Sequence, residues 1–132
     1  MESHNLKDMF VVLSPDKQAT RVVRDPGLYE RLDREFNQFK GHELIALHEF
    51  QQDWPSWEIH PKGDEIVVLI AGTAIFVLEQ ENGTQQIELT QPGDYVVVPR
   101  NTWHTAHIAQ YASLLFITPG EDTGNRSLTA PG

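Results

Sequence analysis

Four side chains in this sequence carry imidazole or carboxylate groups at spacings that allow shared chemistry: Glu58, His60, Glu65 and His104. Glu58 and His60 are two residues apart, so on an extended strand both point to the same face. A turn over 61–64 lets Glu65 return to that face from the next strand. Imidazole and carboxylate together suit a borderline divalent metal such as zinc, iron, nickel or manganese. Two histidines with one carboxylate are also the ligand set of non-haem iron oxygenases.

The segments that hold these residues have the pattern of short strands separated by turns. Asn82-Gly83, Pro92-Gly93 and the turn after Pro99 are strong turn signals. Between them the pattern predicts strands over 43–50, 57–60, 65–71, 73–79, 85–89, 95–98, 103–109 and 112–117. Many short strands at close spacing predict an all-β fold, an antiparallel sandwich or barrel.

The N-terminal third has a different pattern. Residues 9–13 form a short apolar run that predicts an edge strand, and an apolar stripe at helical spacing predicts one amphipathic helix over 26–40. Asp25 is its candidate N-cap, with Pro26 at the first helical position. The whole chain, 1–132, is expected to be one domain, with a barrel core over roughly 43–118 and an irregular tail over roughly 119–132.

Composition excludes several classes of function. The formal net charge is −9 with no visible basic patch, so nucleic acid and anionic membranes are not expected partners. The absence of cysteine excludes disulfides, thiolate metal sites and a cysteine nucleophile. The polar N-terminus lacks the apolar core of a signal peptide, and no apolar run is long enough to span a membrane. These features predict a soluble, cytoplasmic protein.

The first group of residues resembles the first cupin motif, Gly-x5-His-x-His-x3,4-Glu-x6-Gly. His60, Glu65 and Gly72 match its second half in register. Two positions depart from it: Gln52 stands where the motif has its leading glycine, and Glu58 stands where it has its first histidine.

The second group resembles the second cupin motif, Gly-x5-Pro-x-Gly-x2-His-x3-Asn. Gly93, Pro99 and His104 match in register. Asn101 replaces the motif's second glycine, and asparagine tolerates the left-handed backbone that such a turn requires. Ile108 replaces the final asparagine. The resemblance covers residues of about 50–117, and both motifs occur in the expected order.

This resemblance implies a cupin jelly-roll barrel, an antiparallel double-sheet architecture, here with one N-terminal helix. It also implies a metal held at Glu58, His60, Glu65 and His104. Two glutamates and two histidines would cancel the charge of a divalent ion, and they shift preference toward manganese or iron and away from copper. The alternative for Glu65 is that it orients a ligand histidine or acts as general acid or base.

The predicted function is a metal-binding small cupin enzyme that acts on a small polar molecule inside the barrel, with Glu65 or Glu58 as general base. Dioxygenase, isomerase, lyase and hydrolase activities are not distinguished, because one fold hosts many chemistries. One alternative is a non-catalytic ligand-binding or sensor cupin. Another is a metal-free, epimerase-like cupin that uses a histidine–carboxylate pair as acid and base.

Other residues near the motifs have expected roles outside the metal site. His107 is three residues after His104, so on a strand it faces the opposite side and is expected at the surface. Trp54, Trp57 and Trp103 are expected to pack in the core or at the rim, with an aromatic wall beside the substrate as the alternative. The strand over 65–71 is apolar on both faces, which predicts a cover for each face and favours a homodimer.

Overall fold

A computed structural model describes residues 1–128. It has eleven β-strands and one α-helix: β1 Met9–Leu13, β2 Ala19–Val23, α1 Leu28–Glu35, β3 Glu43–Phe50, β4 Ser56–Ile59, β5 Glu65–Gly72, β6 Ala74–Gln80, β7 Gly83–Leu89, β8 Tyr95–Val98, β9 His104–His107, β10 Ala112–Thr118 and β11 Gly124–Ser127. Within the described residues no helix is long and apolar enough to cross a membrane.

The strands form two antiparallel sheets. One has the order β2-β1-β3-β10-β5-β8 and the other β11-β4-β9-β6-β7. The larger buried cluster fills the space between the sheets and includes Leu69, Phe76 and Leu114, none of them more than marginally exposed. The predicted all-β jelly-roll with one N-terminal helix is confirmed.

The strand alternation explains which side chains enter the barrel. On β5, Glu65, Val67 and Leu69 are buried, whereas the residues between them are more exposed. Ile70, on the outer face, is 46% exposed. The outer face of β5, which was predicted to be covered, is therefore partly exposed within one chain. The homodimer that would cover it stays a prediction.

Two motif positions have the backbone that their sequence suggests. Asn101 has φ of 59°, the left-handed conformation expected where the motif has glycine. Gly72, at the end of β5, has φ of 79°, and a Cβ there would lie 2.1 Å from the Tyr111 carbonyl oxygen. Only glycine fits at that close approach.

The predicted helix over 26–40 is too long. The α-helix covers only Leu28–Glu35, and its N-cap residue is Gly27 rather than Asp25. Asp25 lies two residues before the N-cap. Its Oδ1 accepts the Gly27 N–H at 3.1 Å and so orders the turn that leads into the helix. After the helix, Asn37, Gln38 and Phe39 have positive φ, and this left-handed turn places Phe39 in a second buried cluster with Leu28, Leu32 and Leu44.

The termini also differ from prediction. β1 is not an edge strand, because the unpredicted strand β2 pairs with it and forms the sheet edge. The tail is not wholly irregular, since Gly124–Ser127 forms β11 and pairs with β4. Both missed strands are rich in polar or exposed residues, so no apolar alternation marks them. Residues 129–132 of the predicted tail lie outside the described residues.

Candidate metal centre

The two sheets bring the four predicted site residues together. Glu58 on β4 is the register partner of His104 on β9, in the second sheet. His60 follows directly after β4, and Glu65 is the first residue of β5 in the facing sheet. The Asn101 N–H donates to the His60 carbonyl at 3.1 Å, which ties the two motif segments to each other.

The functional atoms of these residues lie within a few ångströms of each other. His104 Nε2 is 3.1 Å from Glu65 Oε1, and His60 Nε2 is 3.4 Å from Glu65 Oε2. Glu58 Oε2 lies 3.8 Å from His60 Nε2. Glu58, His60 and His104 each offer one ligand atom, and those three atoms lie within 4.8 Å of one another. Spacing of this kind is compatible with a common metal ion at their centre.

Hydrogen bonds on the far side of each ring determine which nitrogen faces inward. His104 Nδ1–H donates to the Thr102 carbonyl oxygen at 3.0 Å. His60 Nδ1 lies 2.9 Å from Thr123 Oγ1, whose own hydroxyl donates to the Gly120 carbonyl at 2.9 Å. That hydroxyl oxygen can therefore only accept from His60 Nδ1–H. In the neutral tautomers set by these bonds, both Nε2 lone pairs point at the carboxylates.

Burial and charge perturb the ionisation of the cluster. Burial raises the pKa of Glu65, but its contacts with His104 and His60 outweigh this and lower it from 4.5 to about 2. Burial lowers the pKa of His104, yet the contacts with Glu65 raise it overall. Burial, followed by repulsion from Glu65, raises the pKa of Glu58. In the absence of a metal, these shifts favour an ionised Glu65 beside a protonated His104.

The donor set fits a divalent metal. Among the described residues, His60 Nε2, His104 Nε2 and Glu65 Oε1 are buried without a hydrogen-bond partner. Buried polar atoms of this kind normally have one. Two imidazole nitrogens with carboxylate oxygens suit iron, manganese, zinc or nickel. The geometry supports Glu58, His60 and His104 as one possible ligand group. Coordination by Glu65 stays a prediction.

Glu65 is oriented by a residue that sequence reasoning did not find. Thr118 Oγ1 donates to Glu65 Oε2 at 2.6 Å across 53 residues of sequence. Thr123, which orients His60, was also missed. Both threonines lie after the last predicted strand, 112–117, in a segment with no recognisable motif. No sequence signal available here would have found them.

A cavity of ≈ 1170 Å³ opens onto the cluster. Glu58, His60 and Glu65 line one part of it, and Phe50, Trp54 and Phe116 line another. This volume is large enough for an organic ligand.

The tryptophans divide between two roles. Trp54 is 7% exposed, belongs to the core and also lines the cavity. Trp57 and Trp103 are half-buried and do not line the cavity, and the Arg126 guanidinium is 5.5 Å and 4.6 Å from their ring centroids. Core packing is confirmed for Trp54, which also meets the aromatic-wall alternative.

The remaining histidines lie away from the four-residue cluster. His107 is exposed, as expected, and its Nδ1 is 3.3 Å from Asp53 Oδ2. His48 on β3 lines the cavity, and its Nε2 is 3.3 Å from the Tyr29 hydroxyl. His48 was expected to be able to reach the barrel interior, and the alternation of β3, in which Leu44 and Ala46 are buried, accounts for its inward direction.

The chain matches no known family profile and no curated protein in sequence. Solved structures show a clear likeness in fold. A cupin superfamily protein from Desulfitobacterium hafniense is 25% identical, with a TM-score of 0.49 over 58% of this chain and 65% of that one. A Bacillus halodurans protein is 20% identical, with a TM-score of 0.50 over 67% of this chain and 65% of that one.

Oxalate decarboxylase from Bacillus subtilis is 18% identical, with a TM-score of 0.54 over 67% of this chain and 25% of that one. The chain therefore spans less than two thirds of the length of all three proteins. At these identities the likeness concerns fold alone. The two-sheet topology and the neighbours from Bacillus halodurans and Bacillus subtilis show the jelly-roll fold that the resemblance to the cupin motifs implied.

Proposed function

We propose that this protein is a divalent-metal-dependent cupin enzyme that acts on a small molecule held in the barrel cavity. One observation carries the proposal. A hydrogen bond on Nδ1 orients each of the two histidines, so that their Nε2 lone pairs face the carboxylates of Glu58 and Glu65. Lone pairs facing anionic oxygens require a cation or protons between them. Glu58, His60 and His104, with Glu65 as a further candidate, would hold the metal.

A divalent ion held by these residues would supply a Lewis acid, which could polarise a ligand oxygen or activate water. The protein's own groups divide the remaining tasks. Glu65 is 2% exposed and is engaged by Thr118 and both histidines, so its carboxylate balances positive charge rather than contacting substrate. Glu58 has a side chain 35% exposed and lines the cavity, so it is the carboxylate that a bound molecule can reach. We assign the general-base role to Glu58 on that ground.

The metal-free alternative also has a specific observation in its favour. His104 Nε2 and Glu65 Oε1 are 3.1 Å apart, which is a distance suited to a histidine–carboxylate acid–base pair. His104 is fully buried, however, and does not line the cavity. Glu65 and His60 would therefore have to relay any proton to a ligand.

Elemental analysis of protein purified without added metal tests the proposal. We expect about one divalent ion per chain, as in single-site metalloproteins. His104→Ala and Glu58→Gln should each lose most of it. His107→Ala is the matched control, because His107 lies on the same strand but is exposed, and it should keep the metal.

Glu58→Gln preserves the shape of a partly exposed side chain, so it keeps the test valid if His104→Ala fails to fold. Iron would point to oxygen chemistry, and zinc or manganese to polar catalysis. Metal-free wild-type protein that also fails to bind added iron, manganese, zinc or nickel would contradict the proposal. Ligand-induced stabilisation without product would instead support the non-catalytic binding alternative.

A further inference from the structure

The cavity beside the candidate metal centre is lined by one sign of charge. Six carboxylates line it, and within the described residues no lysine or arginine does. They are Asp33, Glu49, Asp53, Glu58, Glu65 and Asp122. A cleft lined by one sign of charge focuses its field and selects ligands of the opposite sign.

Nearby cations compensate only part of this charge. A divalent ion would balance the Glu58 and Glu65 carboxylates. Lys62 Nζ lies 3.9 Å from Asp122 Oδ2, but both side chains are more than half exposed, so this pair is weak. Asp33, Glu49 and Asp53 remain around the cavity without a lysine or arginine ion pair in the described residues.

The cavity histidine outside the candidate centre adds no positive charge at neutral pH. Burial, and then the nearby positive charge of Arg24, lower the pKa of His48 to about 4. The Arg24 guanidinium itself lies 5.4 Å from the Phe10 ring centroid and is not among the lining residues. The lining therefore stays negative.

The inner wall of the same cavity is aromatic. Phe50, Trp54 and Phe116 pack with ring centroids 5.7–6.2 Å apart. Trp54 is also 6.1 Å from the His104 ring, so the wall adjoins the metal-ligand cluster. Trp54 is 7% exposed, yet its Nε1–H has no hydrogen-bond partner among the described residues. A buried indole N–H normally has an acceptor.

We infer that the ligand of this cavity is a cationic or uncharged organic molecule with a flat apolar body and a hydrogen-bond acceptor for Trp54, and that anions are disfavoured. The carboxylates attract an ammonium group, and the aromatic wall covers a planar ring. The inference deepens the proposed function, on which it rests in taking this cavity as the substrate site.

Three probes of nearly equal shape test it: 4-(aminomethyl)benzamide, 4-(hydroxymethyl)benzamide and 4-carbamoylbenzoate. All share a flat ring and a carboxamide acceptor, and their charges at pH 7 are positive, zero and negative. Titration calorimetry is performed on the metal-loaded protein and, in parallel, on chelator-treated protein. We expect the cation to bind about tenfold or more tightly than the anion, with the neutral probe between them, and the difference to shrink as salt is raised.

Two variants assign the preference to its causes. Asp33→Asn/Glu49→Gln should reduce the cation–anion ratio about threefold, whereas Glu81→Gln/Glu88→Gln, an equal charge change outside the cavity lining, should leave it unchanged. Trp54→Phe should weaken all three probes about fivefold, since each loses the same hydrogen bond.

An anion that binds as tightly as the cation would overturn the inference, and so would failure of all three probes to bind at millimolar concentration. Metal content of the same samples is determined separately. A wild-type protein that neither contains nor binds a divalent metal, yet still ranks the probes by charge, would refute the proposed metal dependence alone. A protein with metal that lacks the ranking would refute the inference alone.

Discussion

The two histidines of the candidate centre are held in place by different parts of the molecule. His104 lies on β9, between β4 and β6, and its ring is fixed by the backbone carbonyl of Thr102, two residues earlier. His60 lies just beyond the end of β4, and its ring is fixed by the side chain of Thr123, 63 residues later. One orientation is local, and the other depends on the C-terminal segment that runs back along β4.

This difference teaches that the His104 side is built into the barrel, whereas the His60 side is completed by Thr123, directly before the edge strand β11. β11 is an edge strand whose backbone pairs with β4, and the contacts of Arg126 with the Trp57 and Trp103 rings help to hold it. An edge strand, paired on one side, opens more readily than a central one. The His60 side should therefore be the first part of the centre to loosen.

The largest expected effect comes from Glu65, the group that both histidines contact. Its pKa in the folded protein is about 2 against an ordinary 4.5, so the stability it contributes is present above pH 4.5 and is lost as pH falls to about 2. The pKa of His104 is raised above 6.5, so its contribution is present below pH 6.5 and is lost as pH rises through the folded value.

Urea titrations of metal-free protein from pH 2 to pH 8 should therefore show this pair stabilising most between about pH 4.5 and 6.5. Glu65→Gln should lower the free energy of unfolding there by on the order of 3 kcal/mol and flatten the profile. Glu88→Gln, an exposed glutamate on β7, is the control and should keep the wild-type profile. An unchanged profile in Glu65→Gln would show that Glu65 is not ionised against the histidines.

The second effect separates the two histidines. Thr123→Val removes the acceptor behind His60, so metal affinity should fall about tenfold or more. The metal-free protein should also lose about 1 kcal/mol, because His60 Nδ1–H loses its partner. Competition with a chromophoric chelator measures the metal affinity, and urea unfolding measures the stability of the metal-free protein.

Thr102→Val is the matched control beside the other histidine. It makes the same hydroxyl-to-methyl change, but His104 uses the Thr102 backbone carbonyl, which the substitution preserves. Metal affinity should stay near wild type, and Thr123→Ser should restore it as well. Equal losses in Thr123→Val and Thr102→Val would remove the contrast between the two sides.

The smallest expected effect comes from Arg126. Arg126→Ala removes its contacts with the Trp57 and Trp103 rings and a 2.7 Å ion pair with Glu79. Because these groups are partly exposed, the cost should be about 1 kcal/mol or less. Hydrogen exchange should become faster in β11 and β4 but not in β6, whereas Glu79→Gln, which keeps the ring contacts, should do less. Uniformly faster exchange would indicate that β11 does not open by itself.

Two of the strands could be predicted closely. The bounds of 43–50 and 95–98 were predicted to the residue, since apolar alternation is bounded there by Gly, Pro or a change of period. The left-handed backbone at Asn101 also followed from the motif. The helix was predicted too long, because the stripe continues through Phe36 and Phe39 although the backbone reverses between them.

The sequence by itself predicted an antiparallel sandwich or barrel from strand periodicity, and its resemblance to the two cupin motifs added the jelly-roll and the candidate ligands. Both signals are local properties of the chain. Only the tertiary structure decided how those ligands are held and what the cavity beside them can accept. Thr118 and Thr123 contact the site across 53 and 63 residues, and a contact over such a distance leaves no periodic trace in the sequence. The carboxylates and the aromatic side chains that line the cavity likewise come from separate segments of the chain. They meet only in the folded protein.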